Sequence, residues 1–149
     1  MNRTEAEQTL LDTLANAVAV AEVAKTFAEV WRGGERSLET HIDTRLKYGH
    51  IDSLAEYPAK TVAAMENAKA YLVAKGGYET MVAIDAGDWV LVYTFNGTLV
   101  TAYQKEASIE AFDQRHARLG WTVNEVTQND NIRAESDRLL LQYRKFLPG

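Results

Sequence analysis

Two histidines and an arginine lie close together in the first third of the chain. His41, Arg45 and His50 form the pattern H-x3-R-x4-H in the segment THIDTRLKYGH. Histidine titrates near neutral pH, so two histidines can act as base and acid at one phosphodiester. An arginine can hold the phosphate and stabilise the charge that develops on it. The pattern predicts a phosphodiester-cleaving site. The alternative interpretation is a solvated helical face with one histidine near its end, which would show the same spacing.

A second set of polar residues alternates along a predicted strand. Thr101, Tyr103 and Lys105 are two residues apart, so their side chains project from one face of a sheet. A hydroxyl, a phenol and an ammonium on one face can grip a phosphate. The outer face of an antiparallel strand gives the same pattern, so both interpretations stay open.

The sequence offers little for a metal or a cofactor. The chain has no cysteine and three histidines, so a zinc ion would depend on histidines and carboxylates. Asp85 and Asp88 flank a glycine turn and could bind a hard cation, but such acids are far more often turn formers. His116 is expected to be a partly buried, hydrogen-bonded side chain. The sequence carries no P-loop or dinucleotide-binding glycine motif, so we expect no cofactor and no metal.

The elements that must position these residues follow from periodicity and capping signals. Thr4 and Glu7 match a capping box at a helix start, and Asn96-Gly97 is typical of a tight hairpin turn. These signals predict one α+β domain, with helices packed on a small antiparallel β-sheet. The predicted helices cover residues 4–31, 37–48, 53–75, 108–119 and 132–146, and the predicted strands cover 78–84, 89–94, 98–103 and 121–127.

The first predicted helix is apolar around most of its middle. One stripe contains Leu10, Leu14 and Val18, and a second set that includes Val20 and Phe27 widens it. A helix with so wide an apolar surface is buried on more than one side. In a small domain one of those sides can be a subunit interface, so the pattern predicts a homo-oligomer formed through residues 11–31.

Composition limits the class of protein. A chain of 149 residues, 46% hydrophobic and 25% charged, is ordinary for one globular domain. The formal net charge of −5 disfavours a broad nucleic-acid-binding face but leaves room for a small RNA site. The first residues lack a secretory signal pattern and no apolar run reaches membrane-spanning length, so we expect a cytoplasmic protein with no membrane partner.

With these residues in view, the segment 38–106 resembles the barnase–EndoU–colicin–RelE-like (BECR) superfamily of small ribonuclease toxins. Members place one or two helices before a twisted antiparallel sheet, and their active sites draw on His, Arg or Lys, Thr or Ser, and Tyr. The resemblance implies metal-independent RNA cleavage, with the two histidines as base and acid and with Arg45 or Lys105 stabilising the phosphorane. The matching positions are His41, Arg45, His50, Thr101, Tyr103 and Lys105.

Two other functions fit the sequence as well. One is a non-enzymatic dimeric interaction or accessory protein of a mobile element or phage. The other is a small-molecule-binding α+β domain, with a pocket between sheet and helices lined by Trp89, Tyr93, Tyr103 and Phe112. A nuclease needs the two polar sets in one cleft, an interaction protein needs an apolar patch, and a binding domain needs a cavity.

Overall fold

Helices pack on an antiparallel sheet, as the sequence predicts, and the sheet has five strands where four were predicted. The computed structural model describes residues 4–105 and 111–148. Short 3₁₀ helices cover Phe27–Val30 and Arg144–Phe146. The longer elements are α1 Glu5–Val23, α2 Gly34–Lys47, α3 Glu56–Glu66, β1 Ala70–Lys75, β2 Thr80–Asp85, β3 Trp89–Thr94, β4 Leu99–Gln104, α4 Phe112–Arg118, β5 Thr122–Val126 and α5 Asp130–Tyr143.

The strands lie in the order β4-β3-β2-β1-β5, so β4 and β5 form the two edges. All six residues of β3 are buried, so both faces of this strand are covered. The edge at β4 is partly covered, because the backbone N–H of Arg32 donates to the Leu99 carbonyl at 2.8 Å. This contact brings the chain into α2 beside β4.

The two faces of the sheet have different covers. Because successive strand residues point to opposite faces, Leu91 and Tyr93 face one layer while Val90 and Val92 face the other. The first layer is the main core, where α1, α3 and α5 pack on the sheet. On the second face α4 packs against β1 and β5, and its Phe112 is buried there.

The first helix is shorter than predicted. Its start is confirmed, since the Thr4 side chain accepts a hydrogen bond from the Glu7 N–H at 3.1 Å. Its end at residue 31 is wrong, because α1 stops at Val23 and Ala24 is extended. The Glu29 carboxylate accepts the backbone N–H groups of Lys25 and Thr26, which starts the first 3₁₀ helix instead of continuing α1.

The apolar stripes of α1 are satisfied within one chain. Leu10, Leu14 and Ala21 are fully buried, in a core to which the sheet and α5 also contribute. Val23 at the end of the helix is an exception, with 79% of its surface exposed. Burial between two layers therefore accounts for the width of the stripe without a subunit interface, and the homo-oligomer stays a prediction.

The third predicted helix is the largest error. It was expected to run from 53 to 75, but α3 covers Glu56–Glu66 and Ala70–Lys75 is strand β1. Tyr71 and Val73 face the main core, while Leu72 and Ala74 face the second layer. The segment forms a strand because β2 and β5 pair with it on both sides. These two neighbours supply hydrogen-bonding partners for its backbone.

The remaining elements agree closely with the sequence. The hairpin of β3 and β4 and strand β5 are confirmed, and Asn129 caps α5 by accepting the Ile132 N–H at 3.0 Å. The predicted start of helix four at Ser108 lies outside the described residues, and α4 begins at Phe112. No helix among residues 4–105 and 111–148 is long and apolar enough to span a membrane.

Gly97 is the position where the hairpin turn requires glycine. Its φ is +91°, and a Cβ built there would lie 2.4 Å from backbone atoms of Asn16 and Ala17 in α1. We expect Gly97→Ala to lower the free energy of unfolding by about 1–3 kcal/mol or more. The alanine would strain the backbone at this φ, and its Cβ would clash with backbone atoms of α1 that cannot move aside. Urea unfolding followed by circular dichroism measures this loss.

The matched control is Gly77→Ala in the β1–β2 turn. Its Cβ would meet open space and its φ is not in the left-handed region. This substitution should change stability by less than about 1 kcal/mol. Equal losses in the two variants would contradict the close approach of the hairpin to α1.

Candidate functional site

The two predicted polar sets lie on different parts of the structure around the edge strand β4. His41 and Arg45 are on α2, and His50 follows the turn at its end. Thr101 and Tyr103 pair with Val92 and Val90, so they belong to the second face of the sheet. The sequence correctly places His41 and Arg45 on one helix and Thr101 and Tyr103 on one strand, while His50 and Lys105 lie just beyond these elements. Contacts between the two sets depend on how α2 lies beside β4.

His41 is half-buried against the main core. Its Nδ1 donates to the Ser37 carbonyl at 2.8 Å, because a carbonyl oxygen can only accept. Its ring centre lies 4.9 Å from that of Trp31. One ring nitrogen is therefore engaged within α2, and the ring is held against an aromatic neighbour.

Arg45 and His50 are in direct contact. Gly49 has a φ of +72°, and the chain turns back so that the His50 N–H donates to the Arg45 carbonyl at 2.8 Å. The Arg45 Nη1 then lies 3.2 Å from the His50 Nδ1. A guanidinium has no acceptor, so His50 must accept through an unprotonated Nδ1. With 2% of its surface exposed, His50 is a buried base in this arrangement.

The residues of the second set have separate roles. Lys105 places its Nζ 2.9 Å from the Asp85 carboxylate, and the other oxygen of Asp85 accepts the Gly87 N–H at 2.7 Å. Thr101 and Tyr103 are both half-buried. The charge of Lys105 is thus balanced by an acid 20 residues away in the chain, a pairing that spacing along the sequence did not reveal.

A cleft of about 170 Å³ lies between α4 and the second face of the sheet. We call it the α4 cleft. Its floor is apolar, and its polar groups are the Tyr103 hydroxyl, one ammonium and three carboxylates. The lining residues are Ala70, Leu72, Asp85, Val90, Tyr103, Lys105, Ala111, Phe112, Asp113 and Glu125.

The predicted pocket is half correct. Tyr103 and Phe112 line the α4 cleft as expected. Trp89 and Tyr93 point to the main core on the opposite face, because they alternate with Val90 and Val92 along β3. The sequence did not predict Asp113 and Glu125 as lining residues, because α4, β5 and the sheet floor are far apart along the chain.

Charged neighbours tune Tyr103. Burial raises the pKa of its phenol, the Asp85 carboxylate raises it further, and the guanidinium groups of Arg115 and Arg45 oppose both effects. The hydroxyl is therefore neutral at physiological pH and can donate a hydrogen bond into the cleft. The guanidinium of Arg45, from the first polar set, is thus one of the charges that act on the pKa of Tyr103 in the second.

His116 and the turn flanked by Asp85 and Asp88 have structural roles. The His116 Nδ1 donates to the Phe112 carbonyl at 2.8 Å, which confirms the expected partly buried, hydrogen-bonded role. Asp85 binds Lys105 and the turn backbone, in line with the turn-forming role expected of it. Within the described parts of the chain, no group of three or more His, Cys, Asp or Glu side chains is placed to hold a metal ion.

Comparison with known proteins identifies a family but no function. A family model described as "Uncharacterised protein aq_aa01" matches residues 21–144. The chain belongs to this family. Neither the curated proteins nor the solved structures yield a match. The matched range includes α2, the whole sheet and the described residues that line the α4 cleft.

The pKa of Tyr103 provides a test of the cleft's electrostatics. We expect Asp85→Asn to lower this pKa, because the larger of the two carboxylate effects that raise it is removed, while burial and Asp113 remain. Tyrosine ¹³Cζ chemical shifts measured against pH report this value directly. Asp88→Asn in the same turn is the matched control, since its side chain is exposed and does not line the cleft.

The raised pKa of Tyr103 also affects the stability of the folded state at high pH. The folded state favours the neutral phenol, while the unfolded chain releases this proton near the ordinary value of about 10. The stabilisation from Tyr103 is therefore present below about pH 10 and is lost as pH rises through the folded-state value. If Asp85→Asn left the pKa of Tyr103 unchanged, the assignment of Asp85 as a cause of its rise would be wrong.

Proposed function

We propose that the protein is a small-ligand-binding domain and that the α4 cleft is its binding site. The observation that carries the proposal is the concave space between α4 and the second sheet face, where apolar walls and several polar groups meet. Sites for small molecules are typically concave and mainly apolar, with a few placed polar groups. The α4 cleft shares the concave shape and the combination of apolar side chains with polar groups, and the polar groups form the larger part of its lining.

The size of the cleft limits the ligand. Its volume of about 170 Å³ is below the roughly 300–1,000 Å³ of pockets for drug-sized ligands. At about 30 Å³ for each water molecule, it would hold roughly six waters. The proposed ligand is therefore a small metabolite or the end of a longer molecule.

The wall chemistry favours a ligand with both apolar and polar parts. Leu72, Val90 and Phe112 provide apolar contact, and the neutral Tyr103 phenol provides a donor or an acceptor. Asp85 and Lys105 already satisfy each other at 2.9 Å, so the pair acts mainly as a fixed dipole at the edge of the cleft. A ligand that bonds to Tyr103 need not separate this ion pair.

Blocking the cleft is the direct test. Ala70 lines it and is half-buried, so Ala70→Leu adds three carbon atoms to the space. We expect this variant to lose the binding of any small metabolite that shifts the methyl signals of Leu72 and Val90 in the wild type. Methyl NMR during titration with a metabolite library measures binding, and the methyl groups of Leu10 and Leu139 in the main core serve as internal references.

Ala117→Leu is the matched control, because it makes the same change on an exposed position of α4 outside the cleft. Binding should be retained in this variant. If no library member shifts Leu72 or Val90 in the wild type, or if both variants bind as well as the wild type, the α4 cleft is not the site.

Metal-independent ribonuclease activity is a second proposal. The contact between Arg45 and His50 favours it, because a guanidinium beside an imidazole can serve phosphodiester chemistry. The low exposure of His50 and the backbone hydrogen bond of His41 argue against it, since a general acid or base must reach the substrate. The geometry therefore supports the binding proposal better.

A cleavage assay separates the two proposals. A ribonuclease of this kind would cut single-stranded RNA in the presence of a chelator, and the His41→Ala/His50→Ala variant would lose at least about 100-fold in rate. His116→Ala is the control, because its ring lies against Phe112 and Trp121 rather than near Arg45. No cleavage by the wild type, or equal cleavage by the double variant, would remove the ribonuclease proposal.

A further inference from the structure

We propose that Arg45 anchors an oxyanion, the carboxylate or phosphate group of a small ligand, at the end of α2. This site is separate from the α4 cleft, whose lining does not include Arg45. The inference rests on the guanidinium, its charge balance and its neighbours. It does not depend on ligand binding in the cleft or on RNA cleavage.

The charge of Arg45 has no counterion among the described residues. Within residues 4–105 and 111–148 no carboxylate forms an ion pair with it. Some exposed arginines elsewhere are paired, such as Arg32 with Glu79 at 2.7 Å and Arg138 with Glu135 at 2.9 Å. Arg45 is half-buried, and withdrawing a charge from water without a partner is costly.

The groups beside Arg45 are neutral. His50 accepts the bond from Nη1 through an unprotonated Nδ1. Burial raises the pKa of Tyr57 far above its ordinary value, and its hydroxyl donates to the Ala102 carbonyl at 2.6 Å. Burial also raises the pKa of Tyr103. These side chains provide dipoles and aromatic surface, but none supplies the negative charge that would balance the guanidinium.

The hydrogen-bonding capacity of Arg45 is also incomplete. Its Nε is buried and has no acceptor among the residues that the structure describes. Buried donors in folded proteins almost always have a partner, so such an atom needs an explanation. Binding of an anion by the guanidinium would supply the missing counterion, since the Arg45 side chain as a whole is only half-buried.

The planar guanidinium sets the class of ligand. Its N–H donors match two oxygens of a carboxylate or a phosphate better than they match a spherical ion such as chloride. Tyr48 extends this preference, because 63% of its surface is exposed and its ring centre lies 6.1 Å from that of His50. An oxyanion with an aromatic or apolar body therefore fits the site better than a bare inorganic ion.

An NMR titration tests the site in the unmodified protein. The probes are sodium benzoate, phenyl phosphate and inorganic phosphate, each added at constant ionic strength against sodium chloride. We expect the Arg45 Nε–Hε signal to shift saturably, with a Kd for benzoate or phenyl phosphate at least tenfold lower than for chloride. The relative affinities of benzoate and phenyl phosphate decide between a carboxylate and a phosphate ligand.

Two charge-matched variants locate the effect. Arg45→Gln should abolish the saturable response, whereas Arg36→Gln should retain it, because Arg36 is exposed on the same helix and each change removes one positive charge. Circular dichroism checks that both variants are folded. If Arg45→Gln does not fold, the Nε–Hε titration of the wild type decides alone.

Two outcomes would overturn the proposal. One is a response that does not saturate or that chloride reproduces at equal ionic strength, since this would be general screening. The other is an equal response in the wild type and in folded Arg45→Gln. Because the Leu72 and Val90 methyl signals report on the α4 cleft, the same samples distinguish a failure of the Arg45 site from a failure of the cleft.

Discussion

The unequal covering of the two sheet faces is the constraint on which the rest of the structure depends. Strand β3 is buried at all six positions, so both faces of the sheet must be shielded from water. The first face has α1 and α3 packed on it, with α5 completing the layer. On the second face the helix present among the described elements is α4, which has seven residues. A helix this short spans part of the sheet, and the α4 cleft lies where its cover ends.

Charge balance differs between the two sides of β4. In the α4 cleft, Lys105 and Asp85 neutralise each other, and the neutral Tyr103 phenol and the carboxylates of Asp113 and Glu125 remain as hydrogen-bonding groups. At the end of α2, Arg45 contacts a neutral imidazole and aromatic rings. The first arrangement suits a ligand with polar groups, while the second carries a charge that no carboxylate among the described residues balances. The two proposed sites therefore differ in the ligands they favour, although Tyr103 lies close to both.

Membership in the family matched over residues 21–144 adds no chemistry of its own. The ribonuclease interpretation arose from residue types and element order, and the structure separates those residues by role. His41 is hydrogen-bonded within α2, His50 is buried beside Arg45, and Lys105 is paired with Asp85. Their types suit phosphodiester chemistry, while their environments favour binding.

Local signals in the sequence determined much of the fold. Thr4 and Asn129 cap their helices, and Asn96-Gly97 closes the hairpin, because each feature depends on hydrogen bonds or backbone angles within a few residues. The α+β class followed from these elements. The direct contact of Arg45 with His50 also depends on a short segment, in which Gly49 turns the chain back.

Tertiary structure alone decided the features that depend on distant partners. Residues Ala70–Lys75 form a strand because β2 and β5 provide hydrogen-bonding partners on both sides, although their apolar pattern also suits a helix. The width of the apolar surface on α1 reflects packing between the sheet and α5, which one helix cannot distinguish from a subunit interface. The Lys105–Asp85 pair and the α4 cleft arise where separate elements meet. Burial and strand pairing act across the whole chain, so spacing along the sequence could not reveal them.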